Sequence, residues 1–354
     1  MPIALLKLPF LIQEEVCKEM DYSDLTVMSF CSVKMRKLIE FLHLAVPAIC
    51  YSIEETHFLC GFKIGNREYE SLLGVMEDPS LLMADTQEIE FCGVKINYRL
   101  PNDLDDEKNT CEGIFVPRIS ETMQRAIQEY IISLFHHSGP NELDINAAAL
   151  SNRPLGLHNV TDTFIRGERI DVKVLEEHFT KYPNHRSAHI VAAIDGEIAE
   201  DSKLWNIERL CIHSQAGGIF LRKFTGQHLF LRDVNPEPAD VIHFLEEWIG
   251  NRAYQRLKTL HIAFKDPQEW VFEEIIQANR FNMDYYDRRN PTARPSHFTY
   301  NTGIVGLKTR DFNVRLRMVA EITRRDGKRA FFHCFSRKYI WFFVREDLEQ
   351  QIVL

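Results

Sequence analysis

The first 45 residues show the spacing of short amphipathic helices. Ile12, Val16 and Met20 recur every fourth position, which predicts a first helix, and the fixed φ of Pro9 suits its first turn. Two further apolar stripes follow polar residues that can cap a helix, so a second and a third helix are predicted. Their apolar positions are Leu25, Val27, Met28 and Phe30 after the caps Asp21 or Ser23, and Met35, Leu38, Ile39 and Leu42 after the cap Ser32.

Helices this short do not bury their apolar stripes on their own. A unit of about 40 residues without a metal or a disulfide depends on a partner or on the rest of its chain. Phe10, Leu11 and Ile12 also add more apolar surface than one helix needs for a single packing face. Two interpretations stay open: the segment docks on the domain that follows it, or it presents a surface to another protein.

The pattern over residues 51–118 indicates irregular β-structure, with a strand at 91–96 and an acidic loop after it. That loop lacks the residue order of an EF-hand, so we predict a solvated loop and not a calcium site. Residues 120–137 predict the clearest helix of the chain, because Ser120 can cap it and Gly139-Pro140 stops it.

From residue 171 onward, helices alternate with short apolar strands. Asp171 can cap one helix, which ends before Pro183, and a second helix is predicted over 239–249. Strands joined by helices favour parallel pairing, and their spacing of roughly 20 to 30 residues approaches that of leucine-rich repeats without being regular. The strands are predicted at 190–192, 210–212, 229–231 and 260–262.

The C-terminal region predicts one more helix and an antiparallel sheet. Asp266-Pro267 opens the helix, which runs to about residue 279. Residues 314–318 alternate apolar and arginine side chains, as in a strand, and Asp326-Gly327 predicts a type I′ hairpin turn after it. The next two strands are predicted at 330–335 and 339–344. The fold class is therefore α+β: three N-terminal helices, an irregular leucine-rich-repeat-like α/β region and a C-terminal antiparallel β-meander.

Composition and charge narrow the class of protein. The chain has 354 residues, of which 45% are hydrophobic and 26% charged, as in a globular protein of two or three domains. A formal net charge of −9 argues against a surface coated with basic residues for nucleic acid. The longest apolar stretch is about half the length of a membrane span, and the first residues lack a signal-peptide cleavage site. The eight cysteines form no C-x-x-C pair, which favours free thiols and an intracellular location, cytoplasmic or nuclear.

Positive charge is concentrated near the C terminus. Residues 308–345 hold eleven basic and three acidic residues, so this segment carries +8 and the rest of the chain −17. Because the basic residues alternate with apolar ones, a solvated sheet face is the first interpretation. The alternative is a substrate-binding patch at Arg315, Arg317 and Arg325 that attracts an acidic or phosphorylated segment.

Local motifs for catalysis and for cofactor binding are absent from the sequence. It contains no phosphate-binding glycine loop, no H-E-x-x-H and no G-x-S-x-G. Histidines within apolar runs, such as His189 and His261, are predicted to be hydrogen-bonded structural residues. We therefore predict no catalytic residue, cofactor or metal ligand, and an enzyme with a site assembled from distant residues stays open as an alternative.

Residues 8–38, LPFLIQEEVCKEMDYSDLTVMSFCSVKMRKL, resemble an F-box. Leu8 and Pro9 stand at its entrance, while Ser32 and Met35 depart from the residues common in the family without disturbing the helical pattern. The resemblance implies that the three helices bind the Skp-family adaptor of cullin–RING ubiquitin ligases. The adaptor-facing residues that it implies are Leu8, Pro9, Ile12, Val16, Leu25, Ser29 and Val33.

Residues 207–264 are similar to the type-2 F-box-associated domain of the large nematode F-box family. The matching parts are the strand at 229–231, the Phe244-Leu245-x-x-Trp248 helix and the closing strand at 257–264. In that family the second domain is thought to choose the substrate, so the resemblance implies a receptor function.

Together the resemblances imply a non-catalytic substrate-recognition subunit of an SCF-type ubiquitin ligase. Its expected domains are an F-box at 1–45, a β-rich region at 46–150 that ends in a helix, and a substrate-binding domain at 151–354. The expected partners are the Skp-family adaptor, through it a cullin–RING ligase, and a protein target, with neither a membrane nor nucleic acid among them. The alternative is a protein-interaction scaffold without a ligase link, in which the first helices merely cap the next domain.

Overall fold

The fold is that of a computed structural model. It describes residues 5–44, 46, 48–64, 68–83, 86–100, 113–213, 217–270, 274–275, 281, 283–287, 297–300, 303–304, 307, 310–313, 316 and 319–345. The chain divides into two compact units, Met1–Thr161 and Asp162–Leu354. Within the described part, every helix is too short or too polar to cross a bilayer.

The first unit combines helices with one mixed sheet and a separate hairpin. Its helices are α1 (Phe10–Lys18), α2 (Tyr22–Cys31), α3 (Val33–Leu42), α4 (Glu121–Phe135) and α5 (Ala147–Asn152), with 3-10 turns at Leu5–Lys7 and Pro79–Met83. Its strands are β1 (Ile49–Ile53), β2 (His57–Ile64), β3 (Glu68–Glu77), β4 (Gln87–Phe91), β5 (Val94–Tyr98), β6 (Gly113–Val116) and β7 (Asn141–Asn146). The sheet has the order β7-β1-β2-β3-β6, in which β7 and β6 run parallel to their neighbours and the other pairs are antiparallel.

The three predicted N-terminal helices are confirmed. Ser32 caps α3, because its Oγ accepts a hydrogen bond from the backbone N of Met35 at 3.1 Å. Asp21 holds the N-cap position of α2 but makes no side-chain capping bond. Helix α1 begins at Phe10, so Pro9 lies just before the helix and not in its first turn.

The helix predicted at 120–137 is confirmed as α4, and it ends two residues earlier than predicted. Ser120 caps it by accepting from the backbone N of Met123 at 3.2 Å. The single strand predicted at 91–96 is wrong. The chain reverses at Cys92 and Gly93, where φ is +47° and +83°, and these values suit a tight hairpin turn between β4 and β5.

The second unit is built on strands joined by helices. Its helices are α6 (Val172–Lys181), α7 (Gly217–Lys223) and α8 (Pro238–Ile249), with a 3-10 turn at Lys203–Asn206. Its strands are β8 (Val160–Arg166), β9 (Arg169–Asp171), β10 (Ser187–Ile190), β11 (Ala193–Asp195), β12 (Arg209–His213), β13 (His228–Val234), β14 (Thr259–Phe264), β15 (Asp284–Tyr285), β16 (His297–Tyr300), β17 (Arg310–Asn313), β18 (Val319–Thr323), β19 (Arg329–Phe335) and β20 (Tyr339–Val344).

The predicted parallel pairing is confirmed. Strands β8, β10, β12, β13 and β14 lie side by side in that order, and each adjacent pair is parallel. Asp171 caps α6 as predicted, because its carboxylate accepts from the backbone N of Lys173 at 2.7 Å. Helix α7 lies between β12 and β13 and was not predicted, and the strand expected at 190–192 lies three residues earlier, as β10.

Strand β20 pairs antiparallel with β14, and β19 and β18 follow it outward, also antiparallel. The turn between β18 and β19 contains Asp326 and Gly327, but only Gly327 has a positive φ, at +92°. The Arg324 N–H donates to the Lys328 carbonyl at 2.7 Å and closes a three-residue loop between them, so the turn is not the predicted type I′ turn. Asp266, Pro267 and Gln268 are not helical, so the prediction that Asp266-Pro267 opens a helix is wrong, and half of the predicted range 266–279 lies outside the described residues. Of the strand predicted at 314–318, only Leu316 is described.

Candidate adaptor-binding surface

Helix α2 anchors the N-terminal helices to the rest of the first unit. Its Leu25 side chain is fully buried. The hydroxyls of Ser29 and Tyr130 lie 2.7 Å apart, and Ser29 donates to the carbonyl of Thr26 at 2.5 Å, so Tyr130 donates the bond that the two share. Phe30 stacks on the same tyrosine with 5.2 Å between ring centroids. One face of α2 is therefore closed off by α4.

Helix α3 is held to α4 by polar contacts. The Arg36 guanidinium lies over the Tyr130 ring at 4.7 Å from its centroid and pairs with Glu40 at 2.8 Å. The Glu40 carbonyl in turn lies 2.7 Å from Nε2 of His136, directly after α4. Burial dominates the pKa of Tyr130 and raises it, so the hydroxyl is a neutral hydrogen-bond donor.

The remaining faces of these helices carry exposed apolar side chains. Among the described residues, eight of thirteen exposed large hydrophobic side chains lie between residues 6 and 41. We call these eight the N-terminal apolar set: Leu6, Phe10, Leu11, Ile12, Val16, Val27, Val33 and Phe41. Apolar side chains scattered singly need no explanation, but this concentration in one short segment is typical of a protein interface.

Most members of the N-terminal apolar set lie on α1 and α3, and these two helices meet within the set. The rings of Phe10 on α1 and Phe41 on α3 meet edge to face with 5.4 Å between centroids, although the side chains are 45% and 66% exposed. Leu11 and Val33 are the most exposed members of the set, at 72% and 70%. The segment therefore satisfies both interpretations of the sequence, because α2 docks on its own chain while α1 and α3 leave apolar surface uncovered.

Five of the seven predicted adaptor-facing residues lie at or near the surface. Pro9, Ile12, Val16 and Val33 are exposed, and Leu8 is half-buried. Leu25 and Ser29 are a correction, because both are buried against the chain itself and cannot face a partner without unfolding the α2 contact. Their role is to hold α2 in place.

Phe41 and Val27 belong to the exposed set although the sequence pattern did not single them out as surface residues. The signal for Phe41 was available, because it lies about a third of a turn away from the buried stripe of Met35, Leu38 and Ile39. No such signal exists for Val27, since nearly every position of α2 is apolar or small.

The C-terminal basic segment is partly neutralised where it is described. Arg315 and Arg317 lie outside the described residues, and Arg325 is exposed at the β18–β19 loop. Four other arginines pair with carboxylates, namely Arg324 with Asp326, Arg329 and Arg345 with Glu321, and Arg337 with Glu269. The neighbouring aromatic side chains of Phe332 and Phe342 are buried, as a solvated sheet face over a core predicts.

Residues 5–45 match the family model of the F-box domain. No curated protein and no solved structure matches the chain. The matched range contains α1, α2 and α3 and every member of the N-terminal apolar set. The segment that holds most of the exposed large hydrophobic side chains among the described residues is thus similar to an F-box domain.

Proposed function

We propose that this chain is the substrate-recognition subunit of an SCF-type cullin–RING ubiquitin ligase. The observation that carries the proposal is the exposure of the N-terminal apolar set, most of it on α1 and α3, within the range that matches an F-box. These side chains would be covered by the Skp-family adaptor, with Pro9, Ile12, Val16 and Val33 at the interface.

The proposed mechanism is proximity and not covalent chemistry by this chain. The adaptor connects the F-box to a cullin–RING assembly, and the rest of the chain holds a protein target beside the ubiquitin-loaded enzyme. Transfer to the target then proceeds within one complex, at an effective concentration that free proteins do not reach. The contacts between α2 and α4 would make the F-box and the rest of the first unit one body.

Adaptor binding by purified proteins tests the proposal. Leu11→Glu combined with Val33→Glu places two charges in the N-terminal apolar set at positions that are already exposed, so the fold should survive. Leu82→Glu is the matched control, because Leu82 is 71% exposed but lies outside the F-box range. We expect the double variant to lose adaptor binding and the control to keep it. Binding that survives in the double variant would rule out this surface.

We also propose that residues 151–354 bind the target, as expected from their similarity to the type-2 F-box-associated domain of nematode F-box proteins. The parallel strands and joining helices from β8 to β14 support this proposal, since loops at one edge of such a layer are free to form a binding surface. The full-length double variant should keep its target and protect it from degradation in cells. If the double variant lost target binding as well as adaptor binding, the two binding functions would not lie in separate parts of the chain.

An intracellular site of action fits the proposal. The described cysteines are free thiols, and most of them are buried. Burial raises the pKa of the Cys50 thiol to about 12, so this thiol stays protonated and unreactive. Colocalisation of a tagged chain with its adaptor would test the location, and secretion of the chain would contradict it.

A further inference from the structure

Two neighbouring parallel strands of the second unit bring three metal-ligating side chains together. His189 on β10 lies in register with Cys211 on β12, and His213 follows two residues later on the same strand. Because side chains alternate along a strand, all three side chains share one face of the sheet. Their ligand atoms all lie within 4.8 Å of one another.

The two imidazoles have the separation that a shared metal ion requires. The Nε2 atoms of His189 and His213 lie 3.3 Å apart. Two Zn–N bonds of about 2.0–2.1 Å at a tetrahedral angle place the nitrogen atoms roughly 3.3–3.4 Å apart. Cys211 adds a sulfur ligand, and one cysteine with two histidines is a ligand set of borderline softness, which suits zinc.

A carboxylate orients one of the histidines. Oδ2 of Asp233 lies 3.3 Å from Nδ1 of His213, so the Nε2 atom of this ring faces the cluster. Carboxylates in this position are the usual outer partners of metal-ligating histidines. Asp233 adopts a left-handed φ of +56° where the pairing of β13 with β14 shifts register between Arg232 and Val234. The irregularity turns this carboxylate out of the regular alternation.

The surroundings of the cluster are dry on one side and open on the other. Cys211 is fully buried in an apolar cluster with Phe230, Val319 and Phe331. The Phe164 ring stacks on His189 with 4.6 Å between centroids. The His213 side chain remains 19% exposed, so an ion would reach the cluster from this side.

We propose that His189, Cys211 and His213 form a zinc site with three protein ligands, Asp233 as outer partner and a fourth position open on the His213 side. The sequence did not predict this site, since His189 lies 22 residues before Cys211, and Cys211 and His213 alone form no metal-binding motif. The site ties β10 to β12 and does not depend on the proposed ligase function.

Cobalt titration of the full-length, chelator-treated protein tests the site. We expect one equivalent of Co²⁺ to produce a near-ultraviolet thiolate-to-metal band together with the visible bands of tetrahedral cobalt, and Zn²⁺ to displace it. Cys211→Ser should abolish the thiolate band. Cys334→Ser, at another buried free cysteine of the same unit, is the matched control and should leave the band unchanged.

Two milder variants test the site even if Cys211→Ser, a change in the core, disturbs folding. His213→Gln changes a partly exposed ligand and should remove metal binding, while Asp233→Ala should weaken the affinity for Zn²⁺ by about 10- to 100-fold. Zinc should also raise the melting temperature of the wild type but not that of His213→Gln. A thiolate band that persists in Cys211→Ser, or its absence from the wild type, would overturn the site and leave a hydrogen-bonded histidine pair.

Discussion

The Tyr130 hydroxyl donates a hydrogen bond to Oγ of Ser29 across 2.7 Å and so joins the second helix of the F-box to α4, 101 residues later in the chain. Phe30 stacks on the same tyrosine ring, and the Arg36 guanidinium also lies over it. One aromatic residue therefore links α2 and α3 to the first unit. The F-box is not a separate module on a linker, and its stability depends on the domain that follows it.

We expect Tyr130→Phe to lower the free energy of unfolding by about 1 kcal/mol, and Ser29→Ala to lower it by about 1–3 kcal/mol because the tyrosine hydroxyl loses its acceptor. Urea unfolding of both single variants and the double variant gives the coupling energy. Tyr98→Phe is the control, since its hydroxyl bonds Gln87 at the surface and should contribute less than about 0.5 kcal/mol. If the losses of unfolding free energy in the two single variants sum to the loss in the double variant, the coupling energy is zero and the hydrogen bond is not formed.

Local patterns predicted helices whose caps lie beside them in the sequence. Ser32, Ser120 and Asp171 all cap the helices expected of them, because a capping bond spans only two or three residues. The parallel pairing of β10, β12, β13 and β14 was also predicted, although α8 is the one helix between these strands that the pattern indicated.

The residues that could not be predicted are those whose environment is set by distant parts of the chain. Leu25 and Ser29 were expected at the adaptor surface, but both are buried within their own chain, and Ser29 is hydrogen-bonded to Tyr130. Apolar and small residues lie all around α2, so its sequence does not indicate which face is buried, and tertiary contacts decide it. Likewise, the approach of His189 to Cys211 follows from strand register, which leaves no mark in the local sequence.

Truncation of a buried and an exposed residue of the F-box should separate stability from binding. Leu25→Ala removes a fully buried side chain and should cost about 2–5 kcal/mol of unfolding free energy, with adaptor affinity unchanged per folded molecule. Val33→Ala trims a side chain that is 70% exposed and should change stability by less than about 0.5 kcal/mol. If Val33 contributes an interface contact worth about 1 kcal/mol, its loss weakens adaptor binding roughly fivefold. Calorimetric unfolding and titration of the two variants with adaptor measure both effects, and a reversed pattern would contradict the assignment of the two faces.

Buried histidines should make the second unit sensitive to acid. Burial, reinforced by Arg209 and Lys258, lowers the pKa of His228 to about 3, and burial lowers the pKa of His333 to about 4. Both fall below the unfolded value near 6.5, so the unfolded chain takes up protons more readily than the folded one. The stabilisation is complete above pH 6.5 and is lost as the pH falls, by about 1.4 kcal/mol at pH 5.5 for His228 alone.

Urea unfolding between pH 7.5 and pH 5 measures this loss. His228→Gln should flatten the decrease in unfolding free energy with falling pH, whatever its effect at neutral pH. His243→Gln, on the exposed face of α8, is the matched control and should leave the pH dependence unchanged. Equal slopes for wild type and His228→Gln would show that His228 is protonated to the same extent in both states.

Charge reversal can decide whether the C-terminal basic segment binds a target. The described arginines beside Arg325 are paired with carboxylates, so the patch would depend on Arg325 together with Arg315 and Arg317. If these three attract an acidic segment, Arg315→Glu, Arg317→Glu and Arg325→Glu together should weaken binding of a fluorescent glutamate-rich peptide at low salt and flatten its salt dependence. Arg325→Glu is also tested alone, because Arg325 is the described member of the three. Its matched control is Lys203→Glu, a change at another exposed basic residue of the same unit, which should leave peptide binding unchanged. Peptide binding that is equal in the triple variant and the wild type at low and moderate salt would reduce the segment to a solvated sheet face.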